Sequence, residues 1–575
     1  MKPVSPCLFL VVLSLLLPSG QLPGVAQTEA APKPTSRATI QGVVTKEPGA
    51  EPVKKAVIEV IGENQAESGD YTAVTGSDGR FHIEGILPGR YHLFVERTGL
   101  LEVAKHQARS TGRVITVSPG QNVTDLTIHL QAASVVQGRV VDEDGDPLPK
   151  SQVTVLRQNL ASGRSRWEQV GGESTNDLGE YRIANLPAGN FYVSVAPPPD
   201  FKSLIEASGA VKPESKPSGA DKPATSYQTT YYPGTTDRSQ AVPIQLHPGD
   251  DFPVNFALTP VPSLSIRGSV VGLPPHASAS ILLQSRDFDF TLNGAEVQKD
   301  GSFVMHDVSP GAYTILATVE NAPMPMTARQ ALQVTNSVDG LRLTPLPGAW
   351  IHGRMRLETN SSTKISPSQM TLYLRSTDRD DDLSGKLFIG DGFNNLAVLG
   401  SDGSFEWKGV PAGNYSVQLT AEHVTGSEDL YLKSISASGR DAGDSGISVN
   451  GGSLMFDLVA SANGAVVQGI AVNQDDAPVA NAVIVAVPDA RFRGRDDRFC
   501  KTVTDQSGRF TLHAIPPGDY TLFAWESVDG ESYYNSEFLK TYDGQGSALR
   551  IGESEHKSVQ LKVIPDNASN GDGEQ

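Results

Sequence analysis

Cysteine is nearly absent from this chain of 575 residues. Its two cysteines, Cys7 and Cys500, are too few for a disulfide framework or for a zinc site built from cysteine ligands. Basic residues are also in deficit, because 47 Lys and Arg stand against 65 Asp and Glu and give a formal net charge of −18. A chain of this charge repels polyanions, so we predict that nucleic acid is not a partner.

Long apolar runs are missing as well. The longest begins near the N-terminus, where Lys2 precedes a run from Leu8 to Leu17 and small residues end at Ala26. This layout is typical of a secretory signal peptide, and the run is shorter than the roughly 18 residues that a spanning helix needs. We therefore predict a signal peptide over 1–26, a linker over 27–37, and a mature chain without a transmembrane segment. The protein is expected to be exported, to the periplasm, the cell surface or the medium.

Glycine and proline, in contrast, are plentiful, with 56 and 39 copies, and the glycines form a repeat. Two glycines stand ten residues apart at five places, and an aromatic residue follows each glycine by two positions. The glycine pairs are Gly79 and Gly89, Gly179 and Gly189, Gly301 and Gly311, Gly403 and Gly413, and Gly508 and Gly518. The aromatic pairs are Phe81 and Tyr91, Tyr181 and Phe191, Phe303 and Tyr313, Phe405 and Tyr415, and Phe510 and Tyr520.

Each glycine pair marks two turns around a strand. Asp78-Gly79 is typical of a hairpin turn with positive φ, and Pro88-Gly89 predicts a second turn in which glycine takes the left-handed conformation. Phe81 and Ile83 alternate with polar residues between the turns, as in a strand with one buried face. Regularly spaced strands of this kind pack as two sheets, so the fold is predicted to be all-β, a tandem array of five antiparallel β-sandwiches.

The repeat gives the boundaries of five units. They are 38–131 (unit one), 132–260 (unit two), 261–346 (unit three), 347–461 (unit four) and 462–565 (unit five). Unit two includes a Pro- and Lys-rich stretch over 197–226 without apolar periodicity, which we interpret as a flexible insertion. Residues 536–542 of unit five have a short helical pattern, and 566–575 form an acidic tail.

The repeat also resembles a known family. Unit two contains VVQGRVVDEDGDPLPKSQVTV and STNDLGEYRIANLPAGNFYVSV, and unit five contains VVQGIAVNQDDAPVANAVIVAV and TVTDQSGRFTLHAIPPGDYTLFAW. These segments are similar to the carboxypeptidase regulatory-like domain, and the chain resembles exported bacterial proteins with several such repeats. The resemblance implies a prealbumin-like sandwich, related to Cna-B-type stalk domains and to starch-binding-like folds. It also implies a module that usually lacks catalysis, and no His-x-x-Glu zinc motif accompanies it here.

Several polar motifs have a structural interpretation beside a functional one. The Asp142 to Asp146 string could bind calcium, but the twelfth position of an EF-hand loop would be the apolar Val153, which favours a simple turn. The acidic run Asp378 to Asp382 is interpreted as a solvated loop. Cys500 is expected to be a small buried strand residue rather than a reactive thiol. We predict no catalytic residue, no metal site and no cofactor.

Aromatic residues outside the repeat are the candidate ligand-binding side chains. Trp167 and the pairs Tyr231-Tyr232 and Tyr533-Tyr534 could offer flat apolar faces to sugar rings or to a protein. Trp407 and Trp525 lie in repeat strands, where a core role is favoured. The sequence thus predicts a non-catalytic binding, adhesion or scaffold protein with an unidentified protein or polysaccharide ligand. The alternative is a carbohydrate-binding protein of the envelope or medium.

Overall fold

The computed structural model describes residues 36–63, 68–102, 112–161, 164–197, 225–286, 292–359, 365–377, 395–421, 424, 427–442, 446–528 and 530–566. The predicted signal peptide, nearly all of the linker and the insertion, the run Asp378 to Asp382 and the acidic tail after 566 lie outside these residues. Within the described residues, no helix is long and apolar enough to cross a membrane.

Strands dominate the described chain. The strands of unit one are β1 (Ala38–Glu47), β2 (Glu51–Pro52), β3 (Val57–Gly62), β4 (Asp70–Val74), β5 (Arg80–Ile86), β6 (Gly89–Glu96), β7 (Leu100–Glu102), β8 (Arg113–Val117) and β9 (Asn122–Ala132). Those of unit two are β10 (Ser134–Val141), β11 (Gln152–Ala161), β12 (Arg164–Ser174), β13 (Glu180–Leu186), β14 (Gly189–Ala196), β15 (Thr225–Tyr227), β16 (Thr230–Tyr231), β17 (Ile244–Leu246), β18 (Asp251–Pro253), β19 (Phe256–Ala257) and β20 (Pro260–Pro262).

The later units follow the same order. Unit three has β21 (Leu264–Val270), β22 (Ser278–Ser285), β23 (Leu292–Glu296), β24 (Ser302–Val308), β25 (Gly311–Glu320), β26 (Met326–Val334), β27 (Val338–Leu343) and β28 (Leu346–Pro347). Unit four has β29 (Ala349–Glu358), β30 (Thr371–Ser376), β31 (Leu396–Val398), β32 (Ser404–Val410), β33 (Gly413–Thr420), β34 (Tyr431–Ala437), β35 (Arg440–Asp441), β36 (Ile447–Val449) and β37 (Ser453–Ser461). Unit five has β38 (Ala465–Val472), β39 (Val483–Pro488), β40 (Cys500–Val503), β41 (Arg509–Ile515), β42 (Gly518–Trp525), helix α1 (Ser536–Lys540), β43 (Ser547–Ile551) and β44 (His556–Lys562).

The strands of each unit form two main sheets that face each other as a sandwich. In unit one the sheets are β2-β1-β9-β7, with β5 also paired to β1, and β4-β3-β6-β8. In unit five they are β41-β38-β44 and β40-β39-β42-β43. Alternation decides what is buried: Phe81 and Ile83 lie in the core while their neighbours on β5 are exposed. Each unit contributes one such apolar core, as the all-β prediction requires.

One pairing differs from the antiparallel pattern that the turns predict. The first strand of each unit pairs antiparallel with the strand after the first repeat glycine and parallel with a strand near the end of the unit. The parallel pairs are β1 with β9, β10 with β18, β21 with β27, β29 with β37, and β38 with β44. These partners are far apart in sequence, so turn signals could not reveal their relative direction.

The two repeat glycines have different physical roles. Gly79, Gly179, Gly301, Gly403 and Gly508 all have φ between +71° and +84°. A Cβ on Gly403 would lie 2.1 Å from the carbonyl oxygen of Met355 on the first strand of its unit. The first glycine therefore meets two demands, a left-handed backbone and close contact with a neighbouring strand.

The second glycine corrects a prediction in most of the units. Gly89 and Gly311 do not have positive φ, and Gly413 and Gly518, at +159°, are nearly extended, whereas Gly189 has a φ of +144°. These residues begin strands, and a Cβ there would lie 3.2–3.5 Å from the aromatic ring two positions later in Gly89, Gly189, Gly311 and Gly518. Glycine at this position leaves room for the folded-back ring.

The ring that follows the second glycine makes a recurrent hydrogen bond. In four units the tyrosine hydroxyl donates to the carbonyl oxygen four residues earlier, two positions before the second repeat glycine. The bonds are Tyr91 to Leu87 (2.6 Å), Tyr313 to Ser309 (2.9 Å), Tyr415 to Pro411 (3.0 Å) and Tyr520 to Pro516 (2.9 Å). The arrangement resembles the tyrosine corner of other β-sandwiches and fixes the second turn to the strand that follows.

The units also contact one another. Arg90 of unit one donates to Thr502 Oγ1 and to the Val503 carbonyl of unit five at 3.1 and 3.0 Å. Lys433 of unit four forms an ion pair with Glu553 of unit five at 3.0 Å. The first unit and the last are thus neighbours, and the array is folded back instead of extended.

Candidate functional site

Trp167 lies on the sheet of unit two that contains β12, β11, β14 and β16. It faces Gln158 across the β11–β12 pair, and its indole ring lies 4.1 Å from the ring of Tyr192, centroid to centroid. Tyr192 belongs to β14 and follows the core residue Phe191, so its side chain points to the outer face of the sheet. Trp167 therefore packs on the outside of the sandwich and is only partly exposed.

Tyr231 is buried, with 2% of its surface exposed. Its ring meets the edge of Trp167 at 6.1 Å, and its backbone pairs with Ser194 of β14. The amide of Tyr231 also donates to the carbonyl of Thr235 at 2.7 Å, closing the turn that contains Tyr232. The expectation that both tyrosines form an exposed platform is therefore corrected: Tyr231 is a packing residue, and Tyr232 remains partly exposed.

A cation completes this cluster. The guanidinium carbon of Arg238 lies 4.4 Å from the centroid of the Trp167 ring, within the range of a cation–π contact. Arg238 begins a 3-10 helix, Arg238–Gln240, whose first turn is capped by Asp237 through the Ser239 amide at 2.9 Å. Hydrogen bonds from Ser239 hold the pKa of Asp237 below its ordinary value, so this cap is charged at neutral pH.

The chain just before this turn joins unit two to unit three. The hydroxyl of Tyr227 donates to Glu143 at 3.0 Å, while its carbonyl accepts from Ser309 at 2.9 Å. Partial burial and the neighbouring Glu143 raise the pKa of Tyr227 to about 12. Gln228 adds a bond to the Pro310 carbonyl at 2.8 Å. The aromatic segment thus also positions the next unit.

Tyr192 and Arg238 are the members of this cluster that sequence reasoning missed. Tyr192 follows the repeat aromatic Phe191 directly and was not selected as a candidate, although strict alternation predicts that its side chain points outward from the sheet. Arg238 follows the turn that contains Tyr231 and Tyr232, and no local pattern links it to Trp167, which lies earlier in the chain. The structure brings Trp167, Tyr231, Tyr192 and Arg238 together, whereas Tyr232 is not among the ring contacts of Trp167.

The other aromatic candidates lie elsewhere. Tyr533 is 1% exposed and packs with Phe499 and Trp525 in a second apolar cluster of unit five, so it offers no surface to a ligand. Trp407 and Trp525 are both 1% exposed, which places them in cores. Trp350 is exposed but stacks on His352 at 4.5 Å.

The polar motifs have local structural uses. Asp142 Oδ1 accepts from the amides of Asp144 and Asp146 at 3.0 and 2.8 Å, which is the geometry of a turn. Cys500 is a free thiol packed against the unit five core, and burial raises its pKa to about 12. Within the described ranges, no group of three or more His, Cys, Asp or Glu side chains could hold a metal ion.

The cluster around Trp167 is suited to packing and to weak surface recognition. Two neighbours contact the indole ring within 4.5 Å, and they leave only part of it for another molecule. Its polar groups are the guanidinium of Arg238, the Asp237 carboxylate that caps the 3-10 helix, and peptide groups that are engaged in turns. This set can hold an aromatic surface in place, and it contains no nucleophile paired with a base.

Comparison with known proteins finds a family match in units one and two. Residues 39–131 and 135–202 match the carboxypeptidase regulatory-like domain. Colossin-A of Dictyostelium discoideum is 20% identical over 518 residues, which are 80% of this chain but 4% of colossin-A. This chain therefore spans a small fraction of that relative's length.

Two solved structures illustrate the structural comparison. The TIE protein of Bacillus anthracis is 15% identical, with a TM-score of 0.16, and the alignment covers 54% of this chain and 50% of that one. A minor pilin of Streptococcus agalactiae is 10% identical, with a TM-score of 0.20, and the alignment covers 40% of this chain and 97% of the pilin.

Proposed function

We propose that this protein is an exported, non-catalytic scaffold or adhesion protein whose five predicted units are five sandwich domains. The observation that carries the proposal is the set of polar contacts between units that are distant in sequence. Arg90 reaches unit five from unit one, and the amide of Gln506 in unit five bonds to the backbone of Thr116 in unit one. Such contacts hold the loops of several domains in a fixed arrangement, which suits the display of a binding surface.

The use of polar side chains supports a structural role. In three units the aspartate directly before the first repeat glycine accepts hydrogen bonds from the chain that follows it, as Asp300 does from the amide and hydroxyl of Ser302 at 2.9 and 2.6 Å. These bonds hold the pKa of Asp300 below its ordinary value. The carboxylates therefore stabilise turns.

Carbohydrate binding is the second candidate. It is favoured by the partly exposed ring of Trp167, held on the outer face of a sheet by Tyr192 and Arg238. Because Tyr231 is buried and Tyr232 packs against the core of unit two, a sugar would stack on Trp167 alone. The interaction would be shallow, since the ring already has two close neighbours.

Export is tested by expressing the full chain with a C-terminal epitope tag in a bacterial host. We expect a processed chain, shorter by about 26 residues, in the periplasmic, surface or medium fraction. Full-length protein confined to the cytosol would contradict the proposal.

Binding is tested with the purified mature chain on a glycan array and on immobilised cell-envelope proteins. Trp167→Ala removes the candidate sugar platform, and Trp350→Ala is the matched control because it removes an exposed tryptophan from unit four. Glycan binding lost only in Trp167→Ala would favour the carbohydrate function. Capture of envelope proteins by both variants would favour the scaffold function.

A further inference from the structure

Three of the four joints between consecutive units are built in the same way. The residue just before the first strand of the later unit donates its backbone amide to a carbonyl oxygen of the earlier unit. The bonds are Ala133 to Gly99 (3.0 Å), Gly348 to Pro325 (2.9 Å) and Gly464 to Asp429 (2.9 Å). Each acceptor lies in the loop after the strand that begins at the second repeat glycine. Consecutive units therefore meet through equivalent parts of the repeat at these three joints.

Close packing of backbone fixes the angle at two of these joints. A Cβ on Gly464 of unit five would lie 2.5 Å from the Asp429 carbonyl oxygen of unit four. A Cβ on Gly409 of unit four would lie 2.6 Å from the Pro325 ring of unit three. The joint between units four and five also has a side-chain contact, because His513 Nδ1 lies 2.9 Å from Asp429 Oδ1. Units three, four and five are thus held to one another by contacts that leave little space for a change of angle.

The joint between units two and three is different. Within the residues that the structure describes, the amide of Ser263, which holds the equivalent position, makes no such bond to unit two. The linker strand β20 pairs with β15 of unit two, and side chains then make the contact with unit three. The Ser309 hydroxyl donates to the Tyr227 carbonyl at 2.9 Å, and the Gln228 side chain donates to the Pro310 carbonyl at 2.8 Å. Side chains that rotate about their own bonds hold an angle less tightly than close-packed backbone does.

The two ends of the array meet on the other side of this joint. Arg90 of unit one donates to Thr502 and Val503 of unit five, and Gln506 of unit five bonds to the backbone of Thr116. Unit two also contacts unit five, because β11 lies beside the 3-10 helix Ser532–Tyr534. Both units that precede the different joint therefore contact unit five. Interfaces between domains permit relative motion unless they are large and hydrophobic, and the hydrogen bonds here are polar.

We propose that the chain is a clamp with two arms. Units one and two form the first arm, units three to five form the second, and the joint at Tyr227 and Gln228 is the hinge. The contacts of unit five with units one and two close the clamp, and the structure described here is the closed form. Opening leaves every sandwich folded and uncovers the backbone of the edge strand β8, which Gln506 covers in the closed form. This motion goes beyond the proposed scaffold function and does not depend on the ligand of that function.

Distances between spin labels test the clamp, measured by pulsed electron paramagnetic resonance on the mature chain. The labels are attached to introduced cysteines at exposed positions in a Cys500→Ala background. The pairs are Val74→Cys with Leu178→Cys in the first arm, Val304→Cys with Val398→Cys in the second, and Val74→Cys with Val398→Cys across the arms. We expect one narrow distance for each pair in the closed form. A broad distribution within either arm would overturn the proposal of two rigid arms.

A variant with repulsive charges should open the clamp. Arg90→Glu with Gln506→Glu places carboxylates against the carbonyl oxygens of Val503 and Thr116, and should lower the ratio of closed to open chains at least tenfold. The distance across the arms should become longer and more broadly distributed, while the distances within each arm stay unchanged. Circular dichroism and the melting temperature check that the variant folds.

Two further variants complete the test. Arg80→Glu with Gln545→Glu is the matched control, because it makes the same charge change on exposed side chains of the same two units. It should leave all three distances unchanged. Arg90→Ala with Gln506→Ala removes the closing bonds without adding repulsion, and should lengthen the distance across the arms by a smaller amount. If that distance stays the same in both opening variants while they remain folded, the clamp is refuted.

Discussion

The side-chain amide of Gln506 bonds to both backbone groups of Thr116, 390 positions earlier in the chain. Its oxygen accepts from the Thr116 amide at 3.0 Å, and its nitrogen donates to the Thr116 carbonyl at 2.8 Å. Thr116 lies on β8, the last strand of its sheet. Gln506 thus pairs with an edge strand as another strand would, and it joins unit five to unit one.

This contact predicts slow exchange of an edge amide. Gln506→Ala should raise the hydrogen-exchange rate of the Thr116 amide roughly five- to tenfold, because a net bond of about 1 kcal/mol is lost. Mass spectrometry of peptides that cover 113–117 measures the change. Gln545→Ala is the control, since Gln545 is exposed in the same unit. Equal exchange in wild type and Gln506→Ala would show that units one and five do not stay in contact in solution.

A pair of glycines with the same backbone angle separates strain from steric overlap. Gly403 and Gly439, both in unit four, have φ of +79°. A Cβ at Gly403 would overlap Met355 O at 2.1 Å, whereas a Cβ at Gly439 meets nothing within 4 Å. Gly439→Ala should therefore cost about 1 kcal/mol from backbone strain alone, and Gly403→Ala at least about 1 kcal/mol more. Denaturant unfolding measures both, and equal costs would contradict the close contact.

The tyrosine hydroxyl in the second turn should contribute modestly to stability. Tyr520→Phe leaves the Pro516 carbonyl without its 2.9 Å bond and should lower the unfolding free energy by about 1 kcal/mol. Unit two has Phe191 at the equivalent position and folds as the others do, so Tyr520→Phe should retain the native near-ultraviolet dichroism. Loss of that signal would mean that the hydroxyl is required for folding.

The repeat made most of the architecture predictable, because turn glycines and alternating strands are local signals. Phe81 and Ile83 could be assigned to a core from their spacing alone. The parallel pairing of β1 with β9 could not be predicted, since the direction of β9 relative to β1 depends on the path of all the residues between the two strands. The same applies to Gly89, whose role depends on the folded-back ring of Tyr91 and not on its own turn.

The candidate site was less predictable for a physical reason. Trp167 and Tyr231 were identified as aromatic residues outside the repeat, but their exposure depends on what covers them. Tyr231 pairs with β14 and lies under the turn that it closes, and Arg238 reaches Trp167 from a later segment.

The thiol of Cys500 should be unreactive in the folded chain. Because burial raises its pKa to about 12, the thiolate fraction at pH 8 is very small. Ellman's reagent should react with the native mature chain far more slowly than with the chain unfolded in guanidinium, at least 100-fold by order of magnitude. Rapid labelling of native protein, or a disulfide-linked dimer on a non-reducing gel, would show an accessible thiol.

The ion pairs of Lys433 should make the contact between units four and five depend on pH. Lys433 lies 2.7 Å from Glu358 in its own unit and 3.0 Å from Glu553 in unit five. Its hydrogen bonds to these carboxylates raise the pKa of Lys433 and lower that of Glu358. A carboxyl group whose pKa is lowered by folding stabilises the fold at pH values above its ordinary pKa, and this stabilisation is lost as the pH falls through the folded pKa. The raised pKa of the lysine loses its stabilising effect only at alkaline pH.

Lys433→Met should therefore speed amide exchange in 552–556 at pH 7 and have little effect near pH 3. Lys408→Met is the matched control, because Lys408 pairs with Glu406 at 2.8 Å within unit four. A difference between Lys433→Met and wild type that persists undiminished at pH 3 would mean that the lysine acts through packing and not through its charge.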